Sequence, residues 1–474
     1  MIRNFVMLAL LSCSFSAAAD GSAEPAKDAF QMWLAGVNSG KPGDIQAFLT
    51  LHKKGYDVQD DVDFHEATGG LNLLRVTVNT GKHLQAFVRA KNSDSSWLVT
   101  LEVDPNDPVH VTTLQLAGGE LPDDLKIQRW RLPELITETH KRLDALANED
   151  KLSGTFLLAQ NGKVLLERSE GNADRSTHVR NELNTRLRLA SVGKMFTAVA
   201  ILQLIDAGKI RLDDTIAQHL KNYPDPTTAK RVTIRQLLNH TSGLGEIFDD
   251  DAQKNKLKLK SLSDYITGYG SKPLEFEPGS KDKYANFGYI VLGAIIESAS
   301  GVPYYDYVQQ HIYGPARMLS TGSEPESDPV ARRAVPYTRE KGRWIREAAM
   351  LPWRGTSAGG GYSTVRDLLN FVTALRAGKL IKLSTLEAAT IVQNNNKWYG
   401  YGFMVAGAGP EHRYGHEGGA PGMNAALSVF PDSGYVVIGL SNFDPSSMGD
   451  MVNFVGNRLP LSTAPAGQNI HSVH

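Results

Sequence analysis

Ser191-Val192-Gly193-Lys194 stands at the head of an apolar run that continues through Met195, Phe196, Val199, Ile201, Leu202 and Leu204. That recurrence predicts a buried helix over Ser191–Ala207. A spacing of three puts Lys194 one turn beyond Ser191 on the same helix face. The free N–H groups at a helix N-terminus favour developing negative charge. A serine there, with an amine one turn away to move its proton, is a candidate acyl acceptor. The same spacing occurs in Ser280-Lys281-Asp282-Lys283, within a polar loop. Spacing alone therefore does not identify a nucleophile, because an N-cap serine beside a solvated lysine reads the same way.

Two further segments carry candidate chemistry. Tyr284-Ala285-Asn286 follows the turn Phe276-Glu277-Pro278-Gly279 and precedes a helix expected over Gly288–Ser300. A loop there suits catalytic side chains. Tyrosine can act as a base where cations lower its pKa, and asparagine can hold both an amide and a lysine. Near the C-terminus, His416-Glu417-Gly418-Gly419 reads as a strand beside a cleft. Its backbone N–H groups could face an oxyanion, and its glycines permit close approach.

Taken in order, the helix serine with its lysine, the Tyr-x-Asn loop and the His-x-Gly strand resemble the serine β-lactamase and penicillin-binding-protein (DD-peptidase) superfamily, class C type. Leu237-Leu238-Asn239-His240-Thr241-Ser242-Gly243-Leu244 and Ser357-Ala358-Gly359-Gly360-Gly361 resemble that family's frame, and the likeness runs over about residues 130–460. It implies an α+β fold in which helices flank one antiparallel sheet, with a helical subdomain beside it. Ser191 would be the acylated nucleophile, and Tyr284 and Lys194 would share its proton. Asn286, His416, Gly418 and Gly419 would contact substrate, and the backbone N–H groups of Ser191 and Gly419 would hold the oxyanion. No metal and no cofactor are implied. His240, in its family-like setting, reads as part of a structural turn rather than a triad base.

One position departs from the family. Its β-lactamases carry Lys-Thr-Gly where this chain has His416-Glu417-Gly418. That lysine helps hold a substrate carboxylate, whereas histidine is largely neutral at pH 7. Strand alternation points Glu417 away from His416. Both changes argue against an anionic substrate and against efficient β-lactam hydrolysis.

The rest of the 474-residue chain divides by pattern. Arg3, the apolar run Phe5–Leu11 and Ala17-Ala18-Ala19 form a secretory signal over residues 1–19. The single cysteine, Cys13, lies inside it, so the mature chain would have no disulfide or thiol nucleophile. Lipidation at Cys13 is the weaker alternative, because Leu11 is bulky for a lipobox. Residues 20–128 read as a small α+β domain, similar to NTF2-like or cystatin-like folds in order of elements. A helix over Ala26–Asn38 and a Gly/Pro break at Gly40–Gly43 precede strands over Leu71–Asn79, Leu84–Lys91, Trp97–Val103 and Val109–Leu116. Residues 129–460 form the hydrolase domain. It opens with a helix over Leu132–Asn148 and a hairpin at Asn161-Gly162. It closes with strands Asn424–Phe430 and Tyr435–Leu440, so both ends of the domain supply the sheet. The tail 461–474 reads as disordered.

The composition is that of an ordinary globular chain, with 41% hydrophobic and 21% charged residues and a net charge of −1. It gives no pull toward nucleic acid. No apolar stretch beyond the signal reaches the ~18 residues of a transmembrane helix. The expectation is a periplasmic or secreted serine hydrolase acting on a small ester, amide or peptide, either an esterase or a D-amino-acid or peptidoglycan-type peptidase. A β-lactamase is one alternative, and a non-catalytic protein binding cell-wall fragments or a partner is another. A third reading gives specificity or dimerisation to the N-terminal domain. The oligomeric state has no sequence signature.

Overall fold

Asn161 and Gly162 both adopt left-handed backbone, φ +49° and +77°, as a two-residue type I′ turn requires. Strands Gly154–Gln160 and Lys163–Glu170 pair across that turn. Met423–Phe430 and Tyr435–Ser441 form the C-terminal hairpin. Tyr435 lies opposite Gln160, and Ser441 opposite Gly154, so the two ends of the domain join in one antiparallel sheet. From edge to edge its strands are Met404–Ala406, Arg413–Ala420, Met423–Phe430, Tyr435–Ser441, Gly154–Gln160 and Lys163–Glu170. The computed structural model describes residues 24–53, 57–118, 121–248, 258–347 and 351–461. The signal with Cys13 and the tail from residue 462 lie outside the described residues.

Both faces of the sheet are covered. Phe156, Leu158, Phe430 and Val437 pack with Leu135 and Leu143 of helix Leu132–Asn148 and with Met448, Met451 and Val455 of helix Ser447–Arg458. Leu157, Ala159, Val429 and Ile438 face the other way, into the largest core. That core contains the helices Lys194–Asp206, Asn286–Ser300 and Val365–Arg376. Burial on both faces explains why the central strands read as unbroken apolar runs.

Two details at the site differ from the sequence expectation. Ser191 does not open the α-helix. It sits in a 3₁₀ turn, Ala190–Gly193, and the α-helix begins at Lys194. Asn286 does not lie in the loop with Tyr284; it is the first residue of its helix.

The chain divides into two compact units at Lys126/Ile127. In the N-terminal unit a four-stranded meander, Leu71–Asn79, His83–Ala90, Ser96–Val103 and Val111–Ala117, runs in chain order. Phe30, Trp33 and Val37 of helix Pro25–Ser39 share its core with Leu84, Ala86, Val88 and Val99. Helices Pro42–His52 and Val58–Thr68 also precede the strands, where the sequence reading had only a break. Pro42 begins a helix there because a first-turn proline loses no needed donor. The Asp57 side chain caps the next helix by accepting from Gln59 N. No single helix among the described residues is long and apolar enough to cross a membrane.

Phe430 is fully buried between sheet and terminal helices. Phe430→Ala is expected to destabilise the C-terminal unit by about 3–5 kcal/mol, read as a lower urea midpoint for its transition. A cost below about 1 kcal/mol would mean that the terminal helices do not hold the sheet as described.

Candidate active site

The turn that carries Ser191 is held in a costly conformation. Ala190 has φ +43°, which L-residues other than Gly, Asn and Asp seldom adopt, and such strain persists only where the surroundings impose it. Here Gly360 N–H donates to Ala190 O at 2.8 Å. Gly359, Gly360 and Gly361 all have positive φ, and a Cβ on Gly359 would stand 2.6 Å from Ala190 O. The Ser357–Gly361 segment is thus a glycine cradle under the turn, and it leaves the Ser191 side chain lining a cavity of about 350 Å³.

Lys194 is completely buried. Its Nζ lies 3.2 Å from Ser191 Oγ and 2.6 Å from Asn286 Oδ1, and it also donates to the Ala358 carbonyl. The Tyr284 and Tyr289 rings flank it, with centroids at 4.7 and 5.4 Å. Burial lowers its pKa to about 7, opposed by the negative charge of Glu246. Loss of one proton leaves two N–H groups. Asn286 Oδ1 and Ala358 O can only accept, so they retain those two donors. The lone pair then falls to Ser191, the one partner with a proton to give.

Tyr284 lines the cavity beside Ser191. Burial pushes its phenol above the ordinary value, and the nearness of the Ser191 hydroxyl, outside hydrogen-bonding geometry, pulls the other way. Its hydroxyl oxygen is buried without a hydrogen-bond partner among the described residues. His240 packs behind it at 4.3 Å between ring centroids. The His240 carbonyl accepts from Lys283 N at 3.0 Å, and its Nδ1 accepts from Ala285 N at 3.2 Å. His240 thus fastens both backbone flanks of Tyr284. It is fully buried, and burial first, then Lys194, hold its pKa well below the ordinary value. It serves here as a scaffold.

The strand Arg413–Ala420 passes directly over the Ser191 turn. A Cβ on Gly418 would meet Ser191 N at 2.6 Å and Leu189 O at 2.8 Å, so only glycine allows this approach. Gly419 lines the cavity next to it. His416 is buried with both ring nitrogens engaged. The Glu417 carbonyl can only accept, so His416 Nδ1–H donates to it at 2.5 Å, and Nε2 takes the Tyr399 hydroxyl proton at 2.8 Å. Burial, and after it Lys194, lower the His416 pKa to about 3, so the ring is neutral at physiological pH. Glu417 is exposed on the opposite side of the strand and accepts from Asn453 at 3.0 Å. Among the described residues, the cavity is lined by Glu417 and Asp450 but by no lysine or arginine.

Ser191, Lys194, Tyr284, Asn286, His416, Gly418 and Gly419 therefore converge on one site. The decoy does not join it. Ser280 and Lys283 are exposed, and Lys283 pairs with Glu275 at 2.5 Å. The sequence reading missed Glu246, whose Oε2 accepts from Asn286 Nδ2 at 2.8 Å, and the acceptor role of the Ala358 carbonyl. It also missed Tyr399 behind His416. Of these, only Ala358 lay in a segment with a visible signal, the glycine run. Among the described residues, no group of His, Cys, Asp and Glu could hold a metal ion.

A strained serine turn, a buried lysine at its flank and a glycine strand over both define a serine hydrolase. The family model described as Beta-lactamase matches residues 141–457, and the chain belongs to that family. Over 325 residues it is 28% identical to penicillin-binding protein 4* of Bacillus subtilis, covering 63% of this chain and 70% of that one. The solved penicillin-binding protein from Bacillus halodurans superposes with a TM-score of 0.60 at 30% identity, over 66% of this chain and 97% of its own. A D-stereospecific amidohydrolase from Streptomyces sp. superposes with a TM-score of 0.56 at 26% identity, over 67% and 97%.

Gly418→Ala must move the strand off the Ser191 turn. The expected result is a fall in kcat of roughly 100-fold or more, the scale of losing one oxyanion donor, measured on an activated ester. Unchanged kcat would show that the strand does not shape the reacting carbonyl's site.

Proposed function

We propose that the chain is an exported amide or peptide hydrolase working through an acyl-Ser191 intermediate, on small substrates that need no carboxylate. The observation that carries this reading is Lys194 Nζ, 3.2 Å from Ser191 Oγ with its other contacts fixed on acceptors. Ser191 Oγ attacks the carbonyl carbon while its proton passes to Lys194 Nζ. The tetrahedral oxyanion rests on the backbone N–H groups of Ser191 and Gly419. As the intermediate collapses, the leaving amine takes a proton from Lys194, with the Tyr284 hydroxyl beside Ser191 as the relay. Water then repeats the sequence and frees Ser191. Lys194 suits the base role better than Tyr284, because burial brings the amine toward neutral pH and drives the phenol away from it.

Amide specificity draws support from the D-stereospecific amidohydrolase likeness and from the neutral, fully engaged His416. A β-lactam or D-alanyl-terminal substrate would bring its carboxylate to a wall on which none of the described residues is a lysine or arginine. The β-lactamase alternative rests on the family match alone. Export rests on the residue 1–19 signal alone, and the mass of the mature chain tests it.

Two outcomes follow. Ser191→Ala is expected to abolish turnover of D-amino-acid amides, and the wild type is expected to prefer them over carboxylate-bearing β-lactams by roughly 10–100-fold in kcat/KM, the worth of one charged hydrogen bond. Equal turnover by both proteins would remove Ser191 from the mechanism, and a preference for β-lactams would reverse the substrate assignment. For pH, Lys194 is protonated below about 7 and then has no lone pair. Acylation should therefore rise as pH increases through about 7 and level off above it. A limb near pH 4–5 would point to a carboxylate instead.

A further inference from the structure

Glu246 lies outside the motifs that mark the family, on the turn that follows His240-Thr241-Ser242-Gly243. Its Oε1 accepts from Ile247 N at 2.7 Å, and its Oε2 accepts from Asn286 Nδ2 at 2.8 Å. It thereby decides which way the Asn286 amide points. With Nδ2 held by a carboxylate, Oδ1 must face Lys194, where it accepts at 2.6 Å. A flipped amide would present N–H donors to Lys194. The amine lone pair would then have a second suitor, and Ser191 would lose its exclusive claim on it. Glu246 also sits at the N-terminus of helix Asn286–Ser300, where the helix dipole favours a negative charge.

We propose that Glu246 is the positioning residue of the reaction: it locks the Asn286 amide and supplies the negative charge against which the Lys194 proton is balanced. This rests on the reading of Ser191 and Lys194 given above. The other groups facing Lys194 are Tyr284 and Tyr289, at 4.7 and 5.4 Å, and His240 and His416, both held neutral by burial. None of these carries a negative charge at neutral pH. Among the described residues Glu246 is the carboxylate that acts on Lys194, and it favours the protonated amine.

The sign follows from that charge. Removing it disfavours the ammonium form, so Lys194 would lose its proton at lower pH. In Glu246→Gln the acid limb of Ser191 acylation is expected to move down by about half a pH unit or more. The plateau should fall at the same time, because a glutamine amide offers one acceptor oxygen and an NH2 donor where the carboxylate gives separate oxygens to Ile247 N and Asn286 Nδ2. Glu246→Asp keeps the charge and shortens the reach, so its limb should stay near the wild type's while its plateau drops.

The test is the pH dependence, from 5 to 9, of Ser191 acylation by an activated p-nitrophenyl ester, followed by product release and intact mass, with thermal melts to confirm folding. The full chain, Glu246→Gln, Glu246→Asp and Ser191→Ala are compared. A lowered limb and a lowered plateau in Glu246→Gln, with the limb retained and the plateau lowered in Glu246→Asp, support the proposal. A lowered plateau with an unmoved limb in Glu246→Gln overturns it and leaves a packing role. Wild-type plateaus in both variants also overturn it, since Asn286 would then need no anchor. Should Glu246→Gln fail to fold, a limb displaced in Glu246→Asp overturns it and a retained limb with a lowered plateau supports it. If the wild type forms no Ser191 adduct at any pH, the acyl-serine reading itself fails, an outcome distinct from all of these.

Discussion

Everything at this site depends on an amine that has been taken out of water. Lys194 has no exposure and touches three neutral oxygens. Moving its pKa from 10.5 to about 7 corresponds to a bias of roughly 5 kcal/mol toward the neutral form. A surface lysine would remain an ammonium with nothing to accept a proton. The fold therefore has to build a pocket tight enough to desolvate the amine and polar enough to orient it. It does so by placing the lysine at the start of a helix that is buried almost all round, between the sheet and helix Asn286–Ser300.

The rest of the architecture reads as what that pocket requires. The serine must reach the amine from a turn, not from the helix, and the left-handed Ala190 makes the turn. The glycine cradle Gly359–Gly361 accommodates it and directs the Ala358 carbonyl inward. Gly418 lets a strand lie against the same turn at a distance no side chain would tolerate. His240 and Glu246, six residues apart on one loop, fasten Tyr284 and Asn286 respectively. Two sheet hairpins from distant parts of the chain close the frame.

Much of this was legible in the sequence, and the physical reason differs by element. The Asn161-Gly162 hairpin and the helix Leu132–Asn148 follow from local backbone preference and period, so they could be read directly. Ser191, Lys194, Tyr284, Asn286, His416, Gly418 and Gly419 could be gathered only through order and spacing, because each motif in isolation matches decoys such as Ser280–Lys283. The helices Pro42–His52 and Val58–Thr68 were overlooked because proline and glycine signal both breaks and helix starts. Glu246 was invisible for another reason. A single glutamate in a polar turn has no periodicity, and its importance comes from a long-range hydrogen bond to Asn286, forty residues further along the chain.

His416 shows how a neutral ring fits a pocket that already holds a buried amine. A lysine in its place would have to keep its charge while buried against Lys194, at the expense of both, unless a substrate carboxylate came to neutralise it. Histidine avoids that conflict. It loses its proton, donates one hydrogen bond to the Glu417 carbonyl and accepts one from Tyr399. The strand keeps its geometry over the Ser191 turn and places no positive charge there. The buried Lys194 also benefits, because a second ammonium nearby would depress its pKa further and weaken it as a base. The charge states of His416 and Lys194 are thus set together, through the same low-dielectric pocket.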